Sequence, residues 1–386
     1  MKDVIVVGVN YSNSLGVIRS LGEAGYGVRL LTFNRATKLI AGSSKYVTRS
    51  LNVGFHDDDI VKGLNMLRGS DDRILVMPLY DTCCEIIDRN HNRLSEHFIL
   101  PRINYHALTL TDLMDKMRQK ELARECGLPI AEGNKFSSED GKINYKDIAY
   151  PCFLKPLLSA EIQGPKSAFA ICRDEKELES AVRFAKSKGC EKVLIEQYLK
   201  IQEELSLYGV AGNGQVFLPV CIETIRGGFA QHQGVAAEGL AVSANTIRDV
   251  KEKVEKLVKT IELSGLFCVD LIKSNGEIYF SEINLRSGGS GYAATLAGAN
   301  LPGTLANLEY LGSTSGPEDI EKPIRFLNER LEFDAYIGGF ISERDYKTHL
   351  ADHTERFVQN DLDPMPWRWF QLYCAKMKAA KMMRRS

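Results

Sequence analysis

GLFCVDLIKSNGEIYFSEINLRSGGSG, residues 265–291, reads as two apolar strands, Leu266 to Ile272 and Glu277 to Asn284, joined by a turn at Ser274-Asn275-Gly276. Asp270, Glu282 and Asn284 are polar side chains placed to face a ligand from otherwise apolar strands. Glu282, Asn284 and Arg286 alternate, so an extended chain puts all three on one face. Asp270 joins them only if the loop holds an odd number of residues. Ser274 to Gly276, with Gly276 left-handed, supplies that parity. Hard oxygen donors on a rigid sheet suit magnesium and phosphate oxygens. Taken alone, the same stretch equally fits a surface hairpin with a solvated polar face.

Upstream, Thr246 to Leu263 has a helical pattern, and Leu205 to Ala211 with Gln215 to Ile222 forms a first hairpin around Gly212-Asn213-Gly214. Cys152 to Lys155 and Lys192 to Glu196 read as strands flanking a helix from Asp174 to Lys188, opened by an Asp174/Glu177 capping pattern. Thr111 to Gly127 is helical and is stopped by Gly127 and Pro129, which marks a domain boundary. Before it, strand and helix alternate through Val4 to Val7, a helix carrying Leu15, Val17, Ile18 and Leu21, Gly27 to Thr32, Ile74 to Met77 and Ile99-Leu100. The expected organisation is a parallel α/β domain over 1–110, two α+β lobes over 111–200 and 201–315, and a C-terminal extension over 316–386.

Lys and Arg number 49 against 50 Asp and Glu, a net charge of -1, which argues against a nucleic-acid partner. The nine cysteines include adjacent Cys83 and Cys84, show no C-x-x-C pair and lie mostly in apolar strings, as reduced core thiols of a cytoplasmic protein do. The start, MKDVIVVGVNYS, is too short and too acidic for a signal peptide, and no segment approaches the ~18 apolar residues of a membrane span.

Three further pieces set the hairpin in context: YPCFLKP carrying Lys155, IEQYL followed by Glu203 and Glu204, and Lys116 in the helix before Gly127-Leu128-Pro129. In this order, the set resembles the ATP-grasp superfamily from about residue 1 to residue 312. The resemblance implies a two-lobed module with ATP between the lobes, behind a pre-ATP-grasp domain. It implies that Lys116 and Lys155 contact the nucleotide phosphates, that Glu196, Gln197, Tyr198 and Leu199 form the hinge against adenine, and that Glu204 accepts from the ribose, with Glu203 a close competitor. Asp270 and Glu282 would hold magnesium, or manganese in its place, Asn284 would complete the metal shell, and Arg286 would steady the transferred phosphate. Where the family carries a glycine-rich phosphate loop, Ser159 to Ser167 reads SAEIQGPKS with only Gly164, and Lys166 adds charge. Read as isolated residues, a lysine after a strand and a glutamate pair are ordinary surface charges. Lys155, flanked by Leu154 and Pro156, is the exception, because an ammonium there is partly desolvated unless an anion pairs it.

The turn GVNYSNSLG has Gly8 and Gly16 but no G-x-G-x-x-G fingerprint. Strand-end turns at Asn10 to Ser14 and Tyr80 to Thr82 would face the cleft, making Asp81 a substrate-site candidate, with a helix N-cap as its other role. Arg226-Gly227-Gly228 and His232 form a loop that either receives a substrate carboxylate through a guanidinium fork or is a mobile connector. His56, His91 and His97 lack metal partners and receive no role.

The tail holds Trp367, Trp369, Phe370 and Tyr373, then Lys376, Lys378, Lys381, Arg384 and Arg385, with no acidic residue from Met365 on. It fits a helix docked on the body, or one that meets an anionic membrane from the cytoplasmic side. The implied activity is a carboxylate–amine ligase working through an acyl phosphate, with small-molecule carboxylate and amine substrates, similar to D-aspartate ligase and other amino-acid ligases. A homodimer is an allowed assembly. The rivals are a bicarbonate-activating carboxylase or carbamoyl-phosphate-type enzyme, and a silent ATP-binding scaffold.

Overall fold

The structure is a computed structural model that describes residues 2–70, 73–137, 148–157, 170–190, 192–228, 235–353 and 355–383. The first unit alternates β1 (Asp3–Gly8), α1 (Tyr11–Glu23), β2 (Gly27–Thr32), α2 (Arg35–Ile40), β3 (Val47–Asn52), α3 (Asp57–Arg68), β4 (Ile74–Pro78), α4 (Asp81–Arg89), α5 (His91–Leu94) and β5 (Phe98–Ile99). Its strands lie parallel in the order β3-β2-β1-β4-β5. β1 and β4 are buried on both faces, which is why they read as unbroken apolar runs.

Next comes α6 (Lys116–Glu125), then a small antiparallel sheet of β6 (Gly133–Ser137), β7 (Cys152–Pro156), β8 (Ala170–Cys172) and β9 (Lys192–Gln197), ordered β6-β9-β7-β8, with α7 (Glu175–Ser187) on one face. Asp174 caps α7 by accepting from the Glu177 amide, as the sequence pattern predicts. α6 starts at Lys116 rather than at Thr111. Asp115 accepts from the amides of Met117 and Arg118, and that cap fixes the first turn.

The large sheet is built from β10 (Glu203–Gly212), β11 (Gln215–Gly227), β12 (Ala236–Ser243), β13 (Gly265–Ser274), β14 (Glu277–Asn284), β15 (Ile324–Leu327) and β16 (Glu355–Arg356) in the order β14-β13-β10-β11-β12-β15-β16. α8 (Arg248–Thr260) is shorter than the predicted Thr246 to Leu263, because residues 244–247 form a tight single turn before it. Its Val250, Val254, Leu257 and Val258 pack with Leu113, Leu122 and Phe280 under the sheet. α9 (Tyr292–Leu296) and α10 (Leu301–Leu311) cover the other face and meet α1.

Beyond residue 315 the chain does not leave the body, since β15 and β16 extend the large sheet. α11 (Glu329–Gly338), α12 (Glu343–Asp352) and α13 (Met365–Met383) follow. The segment before α13 is pinned to the first unit by Arg19, which is fully buried and donates to Asp363 and to the carbonyls of Phe357 and Val358. α13 docks through Phe370 and Cys374, with the Tyr11 ring against Phe370 and Tyr373. Among the described residues no helix is long and apolar enough to cross a membrane.

Candidate active site

The β13–β14 hairpin differs from its predicted register in one respect. β13 and β14 pair from Ser274 with Glu277 to Leu271 with Phe280, so the loop is two residues, Asn275 and Gly276, both at positive φ. The parity that brings Asp270 opposite Glu282 comes instead from a bulge that leaves Ser281 as the extra residue. Phe280 therefore stays with Leu271 in the core beneath the sheet, while Glu282 and Asn284 turn to the face of Asp270 and Cys268. Ser206 lies opposite Asp270 on the neighbouring strand and donates to Asp270 Oδ1 at 2.7 Å, and Asn284 Nδ2 donates to Asp270 Oδ2 at 3.0 Å. Behind these strands Gly288 is obligatory. A Cβ there would sit 2.6 Å from Tyr208 Oη and 2.7 Å from Cys268 Sγ.

α6 brings two lysines to two sheets. Lys116 Nζ lies 3.2 Å from Glu282, and one turn later Lys120 pairs with Glu196 of the small sheet and donates to the Ala131 carbonyl at 2.7 Å. Lys155 Nζ is 2.9 Å from the other oxygen of Glu196, so one carboxylate bridges two buried ammonium groups. Alternation explains this placement. In β7, Cys152 and Leu154 enter the core against α7, which leaves Phe153 and Lys155 on the opposite face, where Glu196 lies across from Phe153. Burial lowers the Lys120 pKa, with Glu196 acting against that shift.

The Glu196 side chain thus pairs with the two lysines. The chain then leaves the small sheet through Gln197, Tyr198 and Leu199, held by Gln197 N–H to the Glu132 carbonyl and Tyr198 N–H to that of Pro151. Glu203 and Glu204 separate by face. Glu203 pairs with Lys273 at 2.7 Å, whereas Glu204 alternates with Ser206 and so shares the face of Asp270.

Arg286 meets the first unit. Its Nε and Nη2 donate to the two oxygens of Asp81 at 2.6 and 2.9 Å, and Nη2 also donates to Asn284 Oδ1 at 3.2 Å. Burial pulls the Arg286 pKa down, but Asp81 more than reverses this and holds the guanidinium charged. Asp81 is not the N-cap of α4. Tyr80 occupies that position without a side-chain cap, and Asp81 is the first helical residue. Arg226 likewise already has carboxylate partners, at 3.1 Å from Glu238 and in contact with Glu332. His232 and the whole stretch Ser159 to Ser167 lie outside the described residues, as do Arg384 and Arg385.

The sequence reading did not single out Lys120, Ser206 or the two glutamates at Arg226. The first was legible in principle, since Lys116 and Lys120 stand at i and i+4 and share a helix face. Among the described residues no three His, Cys, Asp or Glu side chains cluster for a metal. The donor set is two carboxylates and an amide, the sparse kind that suits an ion sharing its shell with phosphates and water. A cation already lies against Glu282 in the form of the Lys116 ammonium, which shows that the position favours positive charge.

Residues 121–303 match the ATP-grasp domain family. A curated relative, the formate-dependent phosphoribosylglycinamide formyltransferase of Bacillus subtilis, is 33% identical over 208 residues, covering 51% of this chain and 50% of that protein. The N5-carboxyaminoimidazole synthetase of Staphylococcus aureus, solved with ADP, superposes with a TM-score of 0.67 at 21% identity, covering 91% of this chain and 87% of that one. The biotin carboxylase domain of Hydrogenobacter thermophilus 2-oxoglutarate carboxylase, solved as a dimer with MgADP, ADP and bicarbonate, gives 0.66 at 19%, covering 84% and 74%. At these identities the two structures establish a shared fold. The chain spans about half the length of the curated relatives it matches.

Proposed function

We propose, from the premise that this chain carries an ATP-grasp domain over residues 121–303, that it is an ATP- and magnesium-dependent ligase joining a carboxylate to an amine. One observation carries the reading. A single turn of α6 sets Lys116 on the carboxylate of the hairpin and Lys120 on the carboxylate it shares with Lys155. Residues at i and i+4 of a helix stand roughly 6 Å apart, so cationic side chains from one rigid element span the gap between the two sheets, as a row of phosphates requires. Lys116, Lys120 and Lys155 would neutralise the phosphates, and Gln197 to Leu199 would lie against the base. Glu204 rather than Glu203 would take the ribose, because it alone shares the site's face.

Asp270, Glu282 and Asn284 would hold magnesium, which when bound supplies charge neutralisation at the transferred phosphate. A substrate carboxylate oxygen attacks the γ-phosphorus, the bond to the bridging oxygen breaks and ADP leaves. The amine then attacks the acyl carbon, inorganic phosphate departs and the amine gives up a proton. This chemistry needs positioning and charge more than acid–base groups, which fits a site of lysines, arginine and carboxylates. The amine and carboxylate are proposed to be amino-acid or cell-envelope precursors. Bicarbonate is the rival acid, since the similar biotin carboxylase domain was solved with it.

We further propose that the outer face of α13, where Trp369, Leu372 and Met383 are exposed beside Arg368 and Lys376, rests on an anionic membrane surface.

The test is ADP release from purified protein with pooled amino acids, with peptides and with bicarbonate, comparing wild type with Glu282→Gln. The substitution keeps shape and removes a charged ligand, and a loss on the order of 100-fold is expected. ADP release by Glu282→Gln at the wild-type rate would refute the ligase reading.

A further inference from the structure

We infer that Asp81, a residue of the first domain, is a positioning residue that keeps Arg286 off the metal carboxylates, and that without it Arg286 competes with the metal ion. The inference rests on the ligase reading of the hairpin. Asp81 Oδ1 and Oδ2 accept from Arg286, Arg286 Nη2 donates to Asn284 Oδ1, Asn284 Nδ2 donates to Asp270 Oδ2, and Ser206 Oγ donates to Asp270 Oδ1. This is one continuous hydrogen-bonded chain from helix α4 to the strand that carries Asp270.

Two consequences follow from the donor count and the charges. Four of the five guanidinium N–H groups are engaged, two by Asp81, one by Asn284 and one by the Ser287 carbonyl. The fork is thus already filled by a carboxylate of the protein itself, which sets both the plane of Arg286 and the direction of the Asn284 amide. In addition, three carboxylates, Asp81, Asp270 and Glu282, face two cations, Lys116 and Arg286, leaving a net -1. Without Asp81 those four groups balance, and a divalent ion would meet a site one negative charge poorer. A partly buried guanidinium deprived of its carboxylate turns toward the nearest one available, and Asn284 already links Arg286 to Asp270.

The experiment measures binding of Mn2+ alone, without nucleotide, to the full chain by calorimetry, for wild type, Asp81→Ala, Asp81→Asn and the double variant Asp81→Ala/Arg286→Ala. The expected result is metal-dependent affinity about tenfold weaker in Asp81→Ala, a smaller loss in Asp81→Asn, which keeps one acceptor oxygen, and recovery toward wild type in the double variant. Recovery discriminates when thermal unfolding of Asp81→Ala matches wild type, because a purely structural role would lower that midpoint through the stranded guanidinium and the double variant would restore both together. Wild-type affinity in a folded Asp81→Ala protein overturns the inference, and so does a double variant no tighter than the single one. If Asp81→Ala does not fold, Asp81→Asn alone against Asp81→Asn/Arg286→Ala carries the same comparison. Failure here with Glu282→Gln still inactive refutes only the role of Asp81. Full activity of Glu282→Gln refutes the ligase reading beneath it.

Discussion

The side-chain amide of Gln119 pairs with both backbone groups of Ile283, donating to its carbonyl at 3.0 Å and accepting from its N–H at 3.0 Å. Ile283 lies between Glu282 and Asn284, so this pair fastens α6, with its two lysines, to the hairpin. Gln119→Leu leaves both backbone groups of Ile283 buried without that partner. We expect a loss on the order of 2 kcal/mol or more in urea unfolding. Gln119→Glu should not rescue it, since an ionised carboxylate cannot donate to the carbonyl. A change within about 0.5 kcal/mol for both variants would mean the clamp is dispensable.

Lys155→Ala and Lys120→Ala should each weaken ATP binding by about tenfold or more, the scale of a charge-assisted hydrogen bond. Either variant leaves Glu196 its other lysine, so the circular dichroism spectrum should be unchanged. Calorimetry with wild-type affinity for one variant removes that lysine from the nucleotide site.

For the membrane reading, deleting the tail is a poor probe because Phe370 and Cys374 belong to the core. The substitutions Leu372→Ser and Met383→Ser alter strongly exposed positions. They should reduce co-sedimentation with phosphatidylserine vesicles several-fold and leave thermal unfolding unchanged. Wild-type protein that stays in the supernatant at low salt ends the proposal.

Glu238 supplies a pH test. Burial works to raise its pKa, but Arg325, His353 and Arg226 outweigh burial and hold it below the ordinary 4.5. A depressed carboxylate pKa contributes stability that is present above the unfolded value and is lost as pH falls through the folded one. Glu238→Gln should therefore be less stable than wild type at pH 7, and the gap should narrow below about pH 4.5. A gap independent of pH between 3.5 and 7 would exclude an ionic origin.

The elements were legible wherever a periodic run carried its own punctuation, as at Val4 to Val7, at the Asp174 cap and at the Asn213-Gly214 turn. The face shared by Asp270, Glu282 and Asn284 was legible too, though for the wrong local reason, because loop length is visible in a sequence and a bulge is not. Pairings between distant segments were out of reach. Nothing near Asp81 names Arg286, since the two meet only when the first domain packs on the hairpin. Nothing near Glu196 names Lys120 and Lys155 either, the two buried lysines that decide where its side chain goes.

The extra residue at Ser281 also bears on how this chain should be aligned and redesigned. Removing Ser281 alone would leave four cross-strand pairs and the two-residue turn between Asp270 and Glu282, so Glu282 and Asn284 would keep their face and β14 would lose only its local kink. Inserting a second residue beside Ser281, by contrast, would put the chain past Phe280 out of step with Asp270 unless the bulge widened to hold both. An alignment that refuses a gap inside β14 would therefore match the wrong residue to Glu282 in a homologue with the same two-residue turn and no bulge, and would report a lost metal ligand where none had been lost.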